Sequence, residues 1–262
     1  HSPERLGMMA ELRAALERNQ RVVHLQPTVE LKTGRIAGNE ALVRWQHPRL
    51  GLLFPDRFIE DAGRTGLIGP LTRWVLTEAL TNCKGTCRDG VRLRVSVNLS
   101  ARSLHDPQLP KMVEDALAAT GAEPGHLMLE ITESAIVLDP KRAEENLATL
   151  SCMGVYLSID DFGTGYTSLA NIKRLPVNEI KIDRSFVSNM LADRNDTMLV
   201  RTVIELGHNF GLTVVAEGVE TEEILDSLAA IGCDEVQGYF ISKPQTCELL
   251  MRWFSTCPYK IG

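Results

Sequence analysis

The feature that most constrains this chain is a regular alternation of short β-branched or apolar runs with longer stretches of helical periodicity. Eight runs read as strands: Arg21–Pro27, Ile36–Trp45, Arg92–Asn98, His126–Ile131, Val155–Asp160, Glu179–Asp183, Leu212–Glu217 and Asp234–Gln237. Between most of them, Leu71–Asn82, Leu109–Thr120, Ala143–Met153, Met198–Phe210 and Thr221–Ile231 place apolar residues three and four apart. Gly121, Gly154, Gly211 and Gly232 stand where these helices should stop, because a left-handed cap costs glycine little. Six of the eight runs adjoin a helix of crossover length, which predicts a TIM-like (β/α)8 barrel. The first two runs are separated only by Glu30–Arg35, a hairpin-length connection that cannot cross over. The expectation is therefore a barrel with an antiparallel first strand. Met8–Arg18 reads as an amphipathic helix outside it. The expected layout is a helix and linker over 1–20, the barrel over 21–250 and a tail over 251–262.

Composition narrows the function classes. With 44% hydrophobic residues among 262, the chain can bury a large core. Its 28 Lys and Arg face 34 Asp and Glu, a net charge of −6, and no basic block interrupts the acidic balance. Duplex nucleic acid is not an expected partner. No run approaches the roughly eighteen apolar residues of a membrane span, so no direct membrane insertion is expected of this segment. The start, His1-Ser2-Pro3-Glu4, lacks an initiator Met and an apolar signal core and reads as a domain cut from a longer chain. The parent could be membrane-anchored through a segment not present here. Of six cysteines only Cys83 and Cys87 lie close together, and a lone C-x3-C is a weak zinc signal. Reduced thiols and a cytoplasmic location are expected. His24, His47, His105, His126 and His208 show no ligand spacing and receive no chemistry. Trp45, Trp74 and Trp253 are expected in the core or at an interface.

The chemistry lies at the strand ends. Glu40, Asn98, Glu130, Asp160, Asp161, Lys181, Glu217 and Gln237 each sit in or directly after an apolar strand. In a barrel, such ends converge on one mouth. Glu40, Glu130, Asp160, Asp161 and Glu217 would then bring five negative charges against two positive ones from Lys181 and Arg44. Ionised carboxylates in a partly desolvated mouth are costly unless paired or bound to cations. Oxygen donors with an amide and no histidine suit a hard cation, Mg2+ or Mn2+, rather than zinc. The adjacent pair Asp160-Asp161 fits a site for two such ions, the usual device for in-line attack on a phosphodiester. Lys181 would orient or electrostatically stabilise the attacking water. Each residue also has a plainer reading: a lone Glu as a solvated rim residue, Asn98 as a turn residue, Gly163 and Gly165 as a simple turn. The conjunction of so many acidic and amide strand ends outweighs them.

These residues resemble the signature of the EAL-domain family, the bacterial cyclic di-GMP phosphodiesterases. The resemblance begins at Asn39-Glu40-Ala41-Leu42-Val43-Arg44-Trp45 and continues through Val97-Asn98-Leu99-Ser100 and Leu129-Glu130-Ile131-Thr132-Glu133. It resumes at Asp160-Asp161-Phe162-Gly163-Thr164-Gly165-Tyr166, Ile180-Lys181-Ile182-Asp183, Ala216-Glu217-Gly218-Val219-Glu220 and Gln237-Gly238-Tyr239. It implies a barrel with an antiparallel first strand and hydrolysis of cyclic di-GMP to linear 5'-pGpG. It further implies that Glu40, Asn98, Glu130 and Asp160 hold one metal ion, and Asp160 with Asp161 the second. Glu217 would support the attacking water and count among the metal-site residues, Lys181 would position the nucleophile, and Gln237 would assist near the same water. Gln26, Leu42 and Arg44 resemble contacts to substrate phosphate and sugar. Glu133 resembles the residue anchoring the Asp161–Thr167 loop, which in the family couples dimerisation to activity, and a homodimer is expected on that ground. The junction before Met8–Arg18 resembles one that follows a GGDEF domain.

The sequence departs from the family at Leu25, where Tyr is typical, at Gly63 in place of Glu, and at Asn178 in place of Asp. Ala170-Asn171-Ile172 also varies. None of these is a proposed metal ligand, so Leu25 and Gly63 put substrate affinity in question rather than chemistry. The competing readings are a catalytically weak or inactive cyclic di-GMP receptor and an interaction module using the barrel exterior. A glycosidase is disfavoured, because five carboxylates and Lys181 exceed its need for two acids.

Overall fold

In the computed structural model, ten strands form one sheet: β1 (Arg21–Glu30), β2 (Arg35–His47), β3 (Gly51–Leu53), β4 (Arg94–Leu99), β5 (Leu127–Thr132), β6 (Tyr156–Phe162), β7 (Glu179–Ile182), β8 (Thr213–Ala216), β9 (Glu235–Val236) and β10 (Lys260–Ile261). The structure describes residues 3–17, 20–85, 93–165 and 172–261; Arg18, Cys87, Arg92 and the stretch Tyr166–Asn171 lie outside the described residues. Eight strands close a ring in the order β1-β9-β8-β7-β6-β5-β4-β2, and β2 returns to β1. β1 runs antiparallel to both of its neighbours, and the other ring pairings are parallel. The short connection after β1 is the hairpin the sequence dictates. Gly34, with φ of 64°, returns its N–H to the Glu30 carbonyl at 2.9 Å, and Glu30 faces Arg35 across the strands. β3 and β10 are additions outside the ring, each paired to β2.

Helices cover the ring because their apolar faces have nowhere else to go. Ile68–Gly85 buries Leu76 and Leu80, Leu109–Thr120 buries Val113, Pro140–Cys152 buries Leu147, Arg194–Asn209 buries Val200 and Glu222–Ala230 buries Leu228. Gly121, Gly154, Gly211 and Gly232 all take positive φ at or just beyond the ends of four of these helices. Glu40, Asn98, Glu130 and Lys181 alternate along their strands with outward apolar residues such as Ala41, Val97, Leu129 and Ile180, so the polar set faces the ring's interior. Trp45 is buried and meets Phe58 edge to face, while Trp74 and Trp253 pack against the core. Cys83 is buried and donates to the Leu93 carbonyl.

The helix Pro3–Glu17 lies outside the ring but is seated on it through Met9, Leu12 and Ala15, all buried. A polar clasp adds direction. His47 Nδ1 accepts the backbone N–H groups of Arg49 and Leu50, which leaves Nε2 to donate to Glu11 at 2.7 Å. At the other end the helix Cys247–Phe254 buries Leu250 and Phe254, so residues beyond 250 continue a packed element and then reach β2 through β10. No helix among the described residues is long and apolar enough to cross a membrane.

Gly207 shows which local rule wins in this packing. In the helix interior, Gly to Ala is worth about 1 kcal/mol of added stability by propensity. A Cβ there would lie 2.3 Å from Val214 Cγ2 of β8. Overpacking of that kind costs about 1–3 kcal/mol, so Gly207→Ala is expected to lower the urea midpoint of unfolding. A raised midpoint would show that helix and strand can move apart freely.

Candidate active site

One ammonium organises the mouth of the ring. Lys181, on β7, is 2% exposed, and its Nζ lies 3.3 Å from Glu40 Oε2, 3.0 Å from Glu130 Oε2 and 2.5 Å from Glu217 Oε1. These carboxylates come from β2, β5 and the residue after β8, so a single side chain ties three strands. Glu40 is held from two further sides. Asn98 Nδ2 donates to its Oε1 at 2.6 Å, and Gln237 Nε2 donates to its Oε2 at 2.6 Å. Gln237 also donates to Gln26 Oε1 at 3.1 Å and accepts from Thr28 at 3.4 Å, while Gln26 Nε2 donates to the Ser242 carbonyl. Both ends of the Gln26 amide are thus engaged inside the protein.

Neighbouring residues on a strand point to opposite faces, so Asp160 and Asp161 should not share a mouth. A β-bulge resolves this. Ile159 pairs with Ile180 and Phe162 with Ile182, which leaves one extra residue on β6. Asp161 takes up the excess with φ of 53°, the one positive φ at a non-glycine residue among the described residues. Such a conformation costs an aspartate about 1–2 kcal/mol, and here it turns both carboxylates into one cleft. Asp160 Oδ1 accepts the Asp161 N–H at 2.9 Å.

The cleft has a volume of about 320 Å³, and Gln26, Glu40, Leu42, Arg44, Glu217 and Gln237 share its wall with that pair. It also exposes residues that the strand-end argument did not single out: Asp183, Arg184, Glu220, Tyr239 and Pro244. Asp183 and Glu220 lie two and three residues beyond Lys181 and Glu217, inside motifs already visible in the sequence. Beside the cleft, behind Leu42 and Asn98, lies an apolar cavity of about 600 Å³ edged by Asp56, Thr72 and Ser100. Arg44 donates to the Val43 carbonyl at 2.8 Å and sits 4.6 Å over the Phe54 ring. Glu133 is outside the cleft. It starts the helix Glu133–Leu138, is buried, and accepts the Gly165 N–H at 3.2 Å. A Cβ at Gly165 would lie 2.9 Å from its carboxyl carbon, so a larger residue there would have to displace the end of the Glu133 side chain. Leu25 and Gly63 do not line the cleft: Leu25 is buried in the core, and the Gly63 carbonyl accepts from Arg102 at 2.5 Å. The helix that carries Gly63, Ile59–Arg64, does reach the neighbouring apolar cavity through Ile59 and Glu60.

Burial dominates the electrostatics. It pushes Glu130 well above the usual carboxylate range, with Glu40 adding to the shift, and it pushes Glu217 up to about 8. Glu40 goes the other way: burial would raise it, but Lys181, Gln237 and Asn98 together outweigh that and hold it below its usual value. Burial would lower Lys181, yet Glu130, Glu217 and Glu40 raise it well above the ordinary lysine value, so it keeps its charge. Asp161 is pushed up to about 6 by burial, then by Asp160 and Asp183. The mouth holds more acid than its lysine balances. Its donors are carboxylate and amide oxygens, a set that fits hard divalent cations. Among the described residues no three acidic, histidine or cysteine side chains stand ready-clustered around one point; the glutamates turn instead to Lys181.

Against known proteins, residues 9–244 match the EAL domain family. The chain is 42% identical over 252 residues to the bifunctional diguanylate cyclase/cyclic di-GMP phosphodiesterase MucR of Pseudomonas aeruginosa, covering 96% of this chain and 37% of that protein. It is 43% identical over 242 residues to the cyclic di-GMP phosphodiesterase NbdA of the same organism, covering 92% and 31%. The solved structure of the PaMucR phosphodiesterase in complex with c-di-GMP superposes with a TM-score of 0.89 at 43% identity, over 93% of this chain and 99% of that one. The chain therefore spans about a third of the length of these two curated relatives.

Removing Lys181 should leave three carboxylates without their shared partner. Lys181→Met, in chelator, is expected to lose about 3–5 kcal/mol of stability at pH 8, the usual cost of breaking a buried pair. A carboxylate raised in the fold costs it stability progressively as pH climbs from its unfolded value to its folded one, so the loss should shrink as pH falls toward 5. Denaturant unfolding at both pH values checks this; a loss independent of pH would contradict it.

Proposed function

The chain belongs to the EAL domain family, and we propose that it is a metal-dependent phosphodiesterase that hydrolyses cyclic di-GMP to linear 5'-pGpG. The observation that carries the reading is Lys181 held by Glu40, Glu130 and Glu217, with Asn98 bonded to Glu40 and with Asp160 and Asp161 in the wall of the same cleft, joined to the likeness to the PaMucR phosphodiesterase complex. EAL domains in general depend on divalent metal ions. Glu40, Asn98, Glu130 and Asp160 would hold one ion and Asp160, Asp161 and Glu217 the other. Two Mg2+ or Mn2+ ions so held would neutralise charge developing on the phosphate during in-line displacement.

The chain's own residues then divide the remaining work. A water oxygen forms a bond to phosphorus while the bond to the 3' oxygen of one ribose breaks; that oxygen takes a proton from solvent, to which the attacking water's own proton is finally passed. Lys181, charged and fixed by three carboxylates, aligns the water and screens the phosphate. Glu217 lies nearest to it and, kept ionised once the cations are bound, would take the water's proton on its way to solvent. Gln237 keeps Glu40 in place through its amide, and Gln26 holds Gln237. Arg44 and Leu42 line the cleft where phosphate and sugar would lie. The apolar cavity behind Leu42 has the volume and the polar edge to receive a purine ring. Glu133, through Gly165, steadies the loop that follows Asp161.

A receptor that binds without cutting is the alternative, and the full set of carboxylates speaks against it. Incubation of purified protein with cyclic di-GMP and Mg2+ or Mn2+ should yield pGpG, and Asp160→Asn should reduce the rate at least a hundredfold while the fold persists. Tight binding of the nucleotide with no pGpG under either metal would overturn the enzymatic reading.

A further inference from the structure

The ring closes through β9, which is two residues long. It pairs with β1 at Val29–Val236 and Glu30–Glu235 and with β8 at Val215–Glu235 and Ala216–Val236. One flanking backbone bond adds to each side, from the Leu31 N–H to the Asp234 carbonyl and from the Gln237 N–H to the Ala216 carbonyl, both at 2.9 Å. At this seam two acids stand directly opposite one another, an arrangement that destabilises a strand pair when both are charged. The end of the barrel remote from the cleft makes the imbalance larger. Glu179 at the start of β7 is buried beside Glu235, and a single guanidinium serves both. Arg94 Nη2, at the start of β4, lies 3.3 Å from Glu179 and 4.0 Å from Glu235. Arg94 is fixed there from below by stacking 5.3 Å over the Tyr156 ring. Asp234, the neighbour of Glu235, is engaged elsewhere, accepting the Val214 N–H at 2.8 Å and facing His208 at 2.9 Å. β8 brings Val215 and Ala216 to the seam, neither of them charged. Glu30 points its Oε2 to Thr33 at 2.6 Å and pairs across β1–β2 with Arg35.

We propose that the β1–β9 seam is a proton-dependent latch, in which the barrel floor of Arg94, Glu179 and Glu235 takes up a proton when the seam closes and releases it when the seam opens. Burial, then the Glu179 charge, push Glu235 up to about 7, with Arg94 opposing and Asp234 and Glu30 adding; Glu179 is raised as well. A carboxylate freed by opening returns to its ordinary value near 4.5. The closed seam therefore binds the proton more tightly, and this contribution to closure is lost as pH rises through about 7. The consequence reaches the mouth because Gln237 follows Val236 directly and holds Glu40 and Gln26. That consequence rests on the proposed phosphodiesterase activity; the latch does not.

Hydrogen exchange of the intact chain, followed by mass spectrometry of peptides, reads the latch without any assay of activity. After correction for intrinsic exchange, protection over 234–237 should fall about tenfold between pH 6 and pH 8, the ratio that values near 4.5 open and about 7 closed require. Glu235→Gln should abolish this dependence while peptides from β4 and β5 stay unchanged. Glu30→Gln, which removes the opposing acid and leaves Glu235 in place, should raise protection at pH 8. A Glu235→Gln chain with the wild-type pH dependence, a Glu30→Gln chain no better protected than wild type at pH 8, or a loss spread evenly over all strands, would overturn the proposal.

Discussion

The contact on which the rest depends is the ammonium of Lys181 set among Glu40, Glu130 and Glu217. Ions removed from water cost several kcal/mol each unless their partners replace the lost solvation. One lysine cannot do this for three glutamates and two nearby aspartates. The amides of Asn98 and Gln237 supply part of the deficit at Glu40. Glu130 and Glu217 meet it by rising toward protonation. What is left over is a set of oxygen donors of the kind that suits small, hard cations. The same residues thus limit the barrel's stability and carry the chemistry proposed for it, an exchange often seen at functional sites.

Two irregularities of the sheet serve this mouth. The bulge at Asp161 brings two successive carboxylates to one side, which a regular strand forbids. The two-residue strand β9 delivers Gln237 to Glu40 but leaves the ring with a short seam. Mouth and floor also share strands. Lys181 stands two residues beyond Glu179 on β7, and Gln237 two beyond Glu235 at the end of β9. An antiparallel β1 is part of the same design, since it presents Gln26 and Thr28 to Gln237 from the side where a parallel strand would need a long crossover.

Much of this was legible in the sequence because it follows from period and spacing. Strand ends at Asn98, Glu130, Asp160 and Lys181 carry polar residues after apolar runs, and the turn Glu30–Arg35 is too short for anything but a hairpin. Less legible were features set by tertiary pairing. The strand Gly51–Leu53 is too short for a local signal, whereas the helix Cys247–Phe254 carries one, with Cys247, Leu250, Met251 and Phe254 at helical spacing, and the expected tail over 251–262 passes over it. The bulge at Asp161 has no marker, since an aspartate rather than a glycine adopts the positive φ. The floor of Arg94, Glu179 and Glu235 was hidden because those residues begin strands far apart in sequence. Leu25 lies in the core and Gly63 on the helix Ile59–Arg64, places that their local sequence does not reveal.

The central claim is that the mouth's carboxylates are a cation site completed by divalent metal. Calorimetric titration of Mn2+ into the chelator-stripped chain tests it most directly. Saturable binding that disappears in Asp160→Asn, at a pH where both chains remain folded, is the predicted result. Heats no different from dilution in the wild-type chain, with and without cyclic di-GMP, would contradict the account.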